Sequence, residues 1–297
     1  MGATAAKRVA TKRSTNKSES NFSLFWRMFR KNKLAVCGLI VLLLIILMAA
    51  LADVITPYYP NEQNLRGAFQ YPSSDHWFGT DEFGRDIFTR VVYGSRQSLI
   101  IGFGAVAISM TVGCLLGLLA GYYCGVVDTV LMRLIDTVMS IPSTIFAIAI
   151  VATLGSNMGN LLIAIAIAQI PAFARIMRSS VLKVRNSDFV TASRVLGISD
   201  KQILLEDILP NCLSPIIVQA TLEVAFAILS AAGLSFLGLG IQPPTPEWGA
   251  MISSAKSYIR DFSYMTVFPG LAIMVTILAL NFLGDGLRDA LDPKLRY

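Results

Sequence analysis

Histidine is nearly absent from this chain: His76 is the only one in 297 residues. That excludes a multi-histidine metal site, and histidine acid–base chemistry anywhere else in the chain. Cysteine is scarce as well. Cys37, Cys114, Cys124 and Cys212 are scattered in or beside apolar runs with no CxxC pair, so neither a zinc site nor a disulfide framework is indicated. Charge is thin: Asp, Glu, Lys and Arg make up 15% of residues, against about 25% in an ordinary soluble domain. No GxxxxGK[ST] segment occurs, so the chain has no P-loop to bind and split a nucleotide. A Ser/His/Asp triad cannot be built around a lone His76 either.

Apolar surface is what the chain has in quantity. Hydrophobic residues make up 54% and mean hydropathy is +0.61. They gather in runs near 34–55, 99–121, 130–154, 161–176, 210–234 and 266–283. A bilayer span needs roughly 20 apolar residues, and in lipid only a helix satisfies its own backbone along one segment. The expected fold is therefore all-α and polytopic, with about six transmembrane helices. Pro57 and Pro60 end the first span, and Pro171 interrupts the fourth and shortest. Gly113, Gly117 and Gly121 recur every fourth residue, a small face that lets two helices approach closely in lipid.

The expected organisation has five parts. Residues 1–33 form a basic arm, polar and disordered to about residue 20. A short amphipathic helix follows, with Phe22, Phe25, Trp26 and Phe29 at helical spacing. Residues 34–56 are the first span and 57–97 a polar extracytoplasmic loop. Residues 98–287 carry five spans with a long loop at 177–209, and 288–297 are a tail. Basic residues set the orientation: nineteen lie on the side of the arm, the 177–209 loop and the tail, and six on the other. The positive-inside rule puts both termini and that loop in the cytoplasm.

The long loop is the most informative stretch. Ser187 or Asp188 can cap a short helix from Phe189 to Leu196, Gly197 suits a left-handed turn, and Ser199 to Gln202 fits a capping box opening a second helix. Pro210 then starts the next span. Ser193, Gly197 and Ile203 also match the spacing of a DNA-reading helix-turn-helix. The second helix, however, sets only Lys201 against Asp200, Glu206 and Asp207. Phosphate binding needs surplus cations, so nucleic acid is not an expected partner. The other use is docking, with small Thr191, Ala192 and Ser193 nesting in a partner's groove.

The order Thr191-Ala192-Ser193-x3-Gly197, with Leu209-Pro210 beyond, resembles the EAA signature of ABC importer permeases. Thr191 and Ser193 depart from the Glu-Ala-Ala ideal but stay small. Three further segments resemble the peptide/nickel permease group: His76-Trp-Phe-Gly-Thr-Asp81-Glu-Phe-Gly84-Arg85-Asp86, Gln242-Pro-Pro-Thr-Pro-Glu247-Trp248-Gly249, and Gly284-Asp285-Gly-Leu-Arg288-Asp-Ala-Leu-Asp292-Pro293. Within that group they are similar to the second permease of dipeptide-type systems, including glutathione importers. The resemblance implies a type I ABC importer permease of a prokaryotic inner membrane. It also implies a homologous second permease, two ATPase subunits using ATP and Mg, an extracytoplasmic binding protein and a short peptide as cargo. Asp188, Thr191, Ala192, Ser193, Gly197, Leu209 and Pro210 would then couple to the ATPases.

Elsewhere, Thr80 or Asp81 is expected to cap an outer helix through Ile87, Phe88, Val91 and Val92, with Arg85 and Asp86 turned to polar partners. The 242–248 segment is expected to be stiff and exposed, with Trp248 as an interfacial anchor; Arg85, Asp86, Glu247 and Trp248 are candidates for contacting the binding protein. A rigid loop holding two spans apart is the alternative. Within the spans a charge is costly and marks function or a hydrogen-bonded structural role. Glu223, midway along the fifth span, is the first candidate for a translocation path, where it could meet a peptide amino group or a metal ion; Gln169 and Asn281 are further lining candidates. Asp136 is expected to work structurally beside Arg133. No resident metal or cofactor is expected in this chain. Two rival functions remain: a nickel or metal-chelate importer of the same architecture, and an ion-coupled secondary carrier.

Overall fold

The computed structural model describes residues 21–291. Five of its helices are long and apolar enough to cross a membrane, and a bent pair raises the number to six. The all-helical polytopic architecture is therefore present, with boundaries that shift for local reasons.

Helix α1 (Asn21–Lys31) is separated from α2 (Lys33–Ala50) by Asn32 alone. Asn32 is extended and its Oδ1 accepts from the Ala35 amide at 3.2 Å, which starts α2 in a new direction. Phe29 is buried against Ala35 and Ala290, and the Arg30 guanidinium lies 4.9 Å from the centre of the Trp26 ring. The expected disorder before residue 21, and the tail cations Lys294 and Arg296, fall outside the described residues.

A short helix α3 (Ala52–Ile55) leads into the polar segment, and α4 runs from Ile87 to Tyr123. At 1.5 Å per residue α4 is about 55 Å long, well beyond the roughly 30 Å of a hydrocarbon core. The outer helix expected at Ile87–Val92 is thus the projecting start of a span. Its cap is Asp86, whose Oδ2 accepts from the Thr89 amide at 2.7 Å, and not Thr80 or Asp81. The third span is broken: α5 (Gly125–Met139) and α6 (Ser143–Leu154) meet at 82°, with Pro142 at the joint. Pro142 cannot donate a helical bond, which accounts for the break.

Helix α7 (Met158–Val184) overturns the short fourth span, because Pro171 lies inside an unbroken helix. Helices α4 and α7 run parallel and in close contact. A Cβ on Gly117 would lie 2.2 Å from the Ala174 carbonyl, and one on Gly113 2.7 Å from that of Ile170. The glycine face therefore seats against α7, where van der Waals contact replaces the hydrophobic effect. After a short helix α8 (Asp188–Val195), α9 (Asp200–Gln202), a π-helical turn (Ile203–Ile208) and α10 (Leu209–Phe236) form one helical rod from Asp200 to Phe236. Helices α11 (Trp248–Ala255) and α12 (Tyr264–Leu291) complete the chain. Helix α12 packs antiparallel to α2, with Gly38 against Ala279 and Gly286 against Ala35. The core lies between α4, α7, α10 and α12, around Ile101, Ile165, Phe173, Met177, Ile228 and Leu280.

Candidate functional site

Three places bring the sequence candidates together: a loop at one end of the bundle, a chamber within it, and a polar platform at the other end.

In the loop, Ser187 is extended but makes no side-chain cap; its hydroxyl instead donates to the Val184 carbonyl at 2.7 Å. Asp188 opens α8, where a carboxylate suits the positive end of the helix. Gly197 has φ +76°, and two bonds close the helix: its amide donates to Arg194 at 3.0 Å and that of Ile198 to Ser193 at 3.1 Å. This pair is a Schellman motif. The expected capping box does not form. Ser199 makes no side-chain cap, and Gln202 reaches forward to Glu206 Oε2 at 3.1 Å. Val190 is fully buried in the same cluster as Ile203 and Ile208. Phe189, Thr191, Ala192, Val195 and Leu196 are exposed, the last two at 82% and 78%, while Ser193 is half-buried. A small-residue helix with apolar side chains in the open results. Leu209 packs on the core, and Pro210 sits exposed where the π-helical turn passes into α10.

Residues that the sequence did not flag fasten this loop to the bundle. Tyr122, at the end of α4, donates its hydroxyl to Asp200 Oδ1 at 2.6 Å, and Arg194 stacks over its ring at 5.4 Å. Arg178 holds Asp128 through two bonds of 2.5 and 2.6 Å. Asp136 pairs with Arg175 at 2.6 Å and not with its sequence neighbour Arg133. Only the packing of α5 on α7 could reveal those partners.

The chamber has a volume of about 600 Å³ and lies between α6, α7 and α10. Gln169 and Glu223 both line it, and Gln169 Nε2 donates to the Glu223 backbone carbonyl at 2.9 Å. Gln219 Nε2 donates to Glu223 Oε1 at 2.8 Å. Gln169 is buried, and its Oε1 has no hydrogen-bond partner. Asn281 is half-buried on α12 and is not part of this wall.

The platform is built on charges taken out of water in pairs. Asp81 accepts from the amides of Phe83 and Arg85 at 2.9 Å each and from Arg85 Nε at 2.6 Å, with Arg90 Nε at 3.7 Å. Arg90 also donates to the Pro60 carbonyl at 2.8 Å. Gly84 has φ +71°, and a Cβ there would lie 1.8 Å from the Asn64 carbonyl, so the turn admits only glycine. Burial holds the Glu82 carboxyl above its ordinary range, with Arg85 and Arg90 acting in the opposite direction. Besides capping α4, Asp86 sits 3.0 Å from His76 Nδ1.

Glu247 caps α11 through the Gly249 and Ala250 amides at 2.8 Å each, and Trp248 Nε1 donates to the Val91 carbonyl at 2.9 Å. Arg85, Asp86, Glu247 and Trp248 are all buried, the last two 1% exposed. The expected exposure of the 242–248 segment thus holds at Gln242, Pro243 and Pro244 and is corrected at Glu247 and Trp248. Each of these four groups finds its partner inside the platform and works as a fastening there. Among the described residues no cluster of three or more His, Cys, Asp or Glu could hold a metal ion.

Comparison with known proteins places this architecture. Residues 113–297 match the family model of the binding-protein-dependent transport system inner membrane component, and residues 20–72 that of the N-terminal transmembrane domain of oligopeptide transport permease C. The chain is 49% identical over 271 residues to a dipeptide transport system permease protein DppC of Alkalihalophilus pseudofirmus, covering 91% of this chain and 89% of that one. It is 48% identical over 276 residues to a glutathione transport system permease protein GsiD of Escherichia coli, covering 92% and 90%. Among solved structures, an inward-facing MetNI methionine ABC transporter aligns with TM-score 0.56 at 16% identity, over 68% of this chain and 97% of that one. An amino acid ABC transporter crystallised with histidines aligns with TM-score 0.52 at 17% identity, over 68% and 94%. A bundle of five to six spans that matches these models over most of its length belongs to the binding-protein-dependent transport system inner membrane component family, as an OppC-type permease subunit of ABC importers.

Proposed function

We propose that this permease carries short peptides inward across the membrane by alternating access. It would work as one of two homologous halves driven by two ATPase subunits. The observation that carries the reading is one continuous rod. The helix that leaves the 188–197 loop at Asp200 runs unbroken to Phe236 and bears Glu223 on the chamber wall. The 23 helical rises from Asp200 to Glu223 span about 35 Å, so a push on the loop has a stiff lever to the chamber. The π-helical turn at Ile203–Ile208 is a natural place for that lever to flex.

In this reading the exposed Phe189, Ala192, Val195 and Leu196 seat in a groove of a cytoplasmic ATPase, which holds the ATP and Mg. Asp188, Thr191, Ser193 and Gly197 shape the helix that docks, and Leu209 and Pro210 join it to the lever. The excess of basic residues on that side supports a cytoplasmic loop and two cytoplasmic termini. The platform would face the binding protein, with exposed Tyr59, Tyr71 and Trp77 around buried Arg85, Asp86, Glu247 and Trp248. Gln169 and Glu223 line the path; Asn281 would reach it only through movement of α12. The peptide class is supported by relatives named for dipeptide, di/tripeptide and glutathione transport.

The test is reconstitution. Purified with its partner permease, ATPases and binding protein, the chain should take up radiolabelled dialanine into proteoliposomes only when ATP is present. Uptake by this chain alone, driven by an ion gradient, would establish a secondary carrier instead.

A further inference from the structure

We infer that the chamber between α6, α7 and α10 is a cargo-selecting site that takes the amino-terminal residue of an α-linked peptide, ammonium toward Glu223 and Gln169 and an apolar side chain into the cavity. The inference rests on the peptide-import reading and narrows it to one end of one class of cargo.

The charge on the wall is one-sided. Glu223 offers a carboxylate, with about four lone-pair positions, of which Gln219 occupies one. Gln169 donates from Nε2 to the Glu223 backbone carbonyl, and its buried Oε1 has no partner. Both groups accept, so both ask for a donor. No Lys, Arg or His lines the chamber. A carboxylate brought into it would meet Glu223 with nothing to neutralise it, whereas an ammonium would be held by charge-assisted bonds. Apart from the neutral hydroxyls of Ser143, Thr144 and Ser230, the rest of the wall is apolar, with Ile148, Ile165, Phe226, Leu229 and Leu234. Apolar pockets with a few convergent polar groups are the usual form of small-ligand sites.

An amino-terminal Leu or Phe supplies both halves of that pattern: one ammonium, and an apolar side chain on the same carbon. Glutathione does not. Its amino-terminal carbon carries a carboxylate beside the ammonium, and the molecule is a net anion at neutral pH. The structure therefore divides the cargoes of the relatives, favouring α-dipeptides over γ-glutamyl peptides.

The experiment uses the full complex in nanodiscs and proteoliposomes. The probe is p-benzoylphenylalanyl-alanine, photolysed during ATP turnover with its binding protein and mapped by mass spectrometry. Crosslinks are expected within 165–172 or 222–234, and N-acetylating the probe should abolish them. Leu-Ala uptake, at saturating binding protein, should fall about tenfold in Glu223→Gln, the loss of one charge-assisted bond. Ala168→Leu, which adds apolar bulk to the chamber wall and leaves the carboxylate in the sequence, should reduce Leu-Ala uptake more than Gly-Gly uptake. Crosslinks confined to other segments would overturn the site, as would equal labelling by the acetylated probe or glutathione uptake that matches Leu-Ala per loaded binding protein. In each of those cases ATP-driven peptide uptake persists and the import reading stands. A complex that moves no peptide at all overturns the import reading itself.

Discussion

Gly197 offers the cleanest separation of backbone conformation from packing. Its φ of +76° lies in the left-handed region, and a Cβ added there would meet nothing within 4 Å. Within the chain, any effect of a substitution therefore comes from the backbone and stays in the loop. For an L-residue this conformation costs about 1–2 kcal/mol. A β-branched residue suffers more, because its Cβ substituents also crowd the neighbouring peptides. If the chain escapes the strain by leaving the left-handed region, it gives up the bonds from Gly197 to Arg194 and from Ile198 to Ser193. Helix α8 then loses its fixed angle to the rod that begins at Asp200. At 1.4 kcal/mol per factor of ten, roughly 5- to 30-fold fewer molecules would hold the docking geometry in Gly197→Ala, and fewer again in Gly197→Val. Asparagine tolerates the left-handed region, so Gly197→Asn should stay near the parent. The assay is the initial rate of ATP-dependent uptake in proteoliposomes, beside ATPase activity stimulated by loaded binding protein, with assembly checked by co-purification. The expected order is glycine, asparagine, alanine, valine. A valine variant that assembles and transports at the parent rate would refute the role of this turn in coupling.

Three other outcomes are expected. Gly117→Leu should force α4 and α7 apart, because a Cβ there already falls 2.2 Å from the Ala174 carbonyl and 2.9 Å from Met177 Cβ. A loss of about 1–3 kcal/mol or more is expected from such overpacking, read as a lower unfolding midpoint in detergent, whereas Gly270→Ala, in open space on α12, should be harmless. Arg85→Met leaves buried Asp81 with its two backbone amides and one nearby cation, Arg90 at 3.7 Å; breaking one side of such a pair costs about 3–5 kcal/mol, and adding Asp81→Asn should recover part of the lost midpoint. Hydrogen bonding to Arg96 draws the exposed Asp53 carboxyl below its ordinary range. Its contribution is thus full above the unfolded value and is lost as pH falls through the lowered one. Thermal unfolding of the parent and Asp53→Asn should differ at neutral pH and converge in acid, and a difference that survives strong acid would count against this pairing.

Much of the molecule was legible because bilayer physics leaves few options. Apolar runs of span length must be helices, since no water is present to satisfy an open backbone. The Gly113/Gly117/Gly121 repeat announced a close helix neighbour, and the Gly197 turn followed from its place after a short capped segment. These are local signals, and periodicity and composition carry them. What the runs could not show is where a helix continues beyond the lipid or bends within it. The extension of α4 back to Ile87 is set by the Asp86 cap, and whether a proline is passed, as at Pro171, or marks a bend, as at Pro142, depends on the helices packed around it.

The composition and order of residues by themselves determined an all-helical membrane protein without a P-loop of its own, because hydrophobic length and the missing motif are properties of the chain alone. Tertiary structure alone decided the partners of its polar groups. Tyr122 meets Asp200 across 78 residues, Gln169 meets Glu223 across 54, and Trp248 reaches Val91 across 157. Trp248 and Glu247 read as exposed in a proline-rich loop, yet they are buried, since a charge or an indole N–H can leave water once a distant backbone supplies its bond. Sequence names such groups; only the fold brings together the atoms that let them be buried.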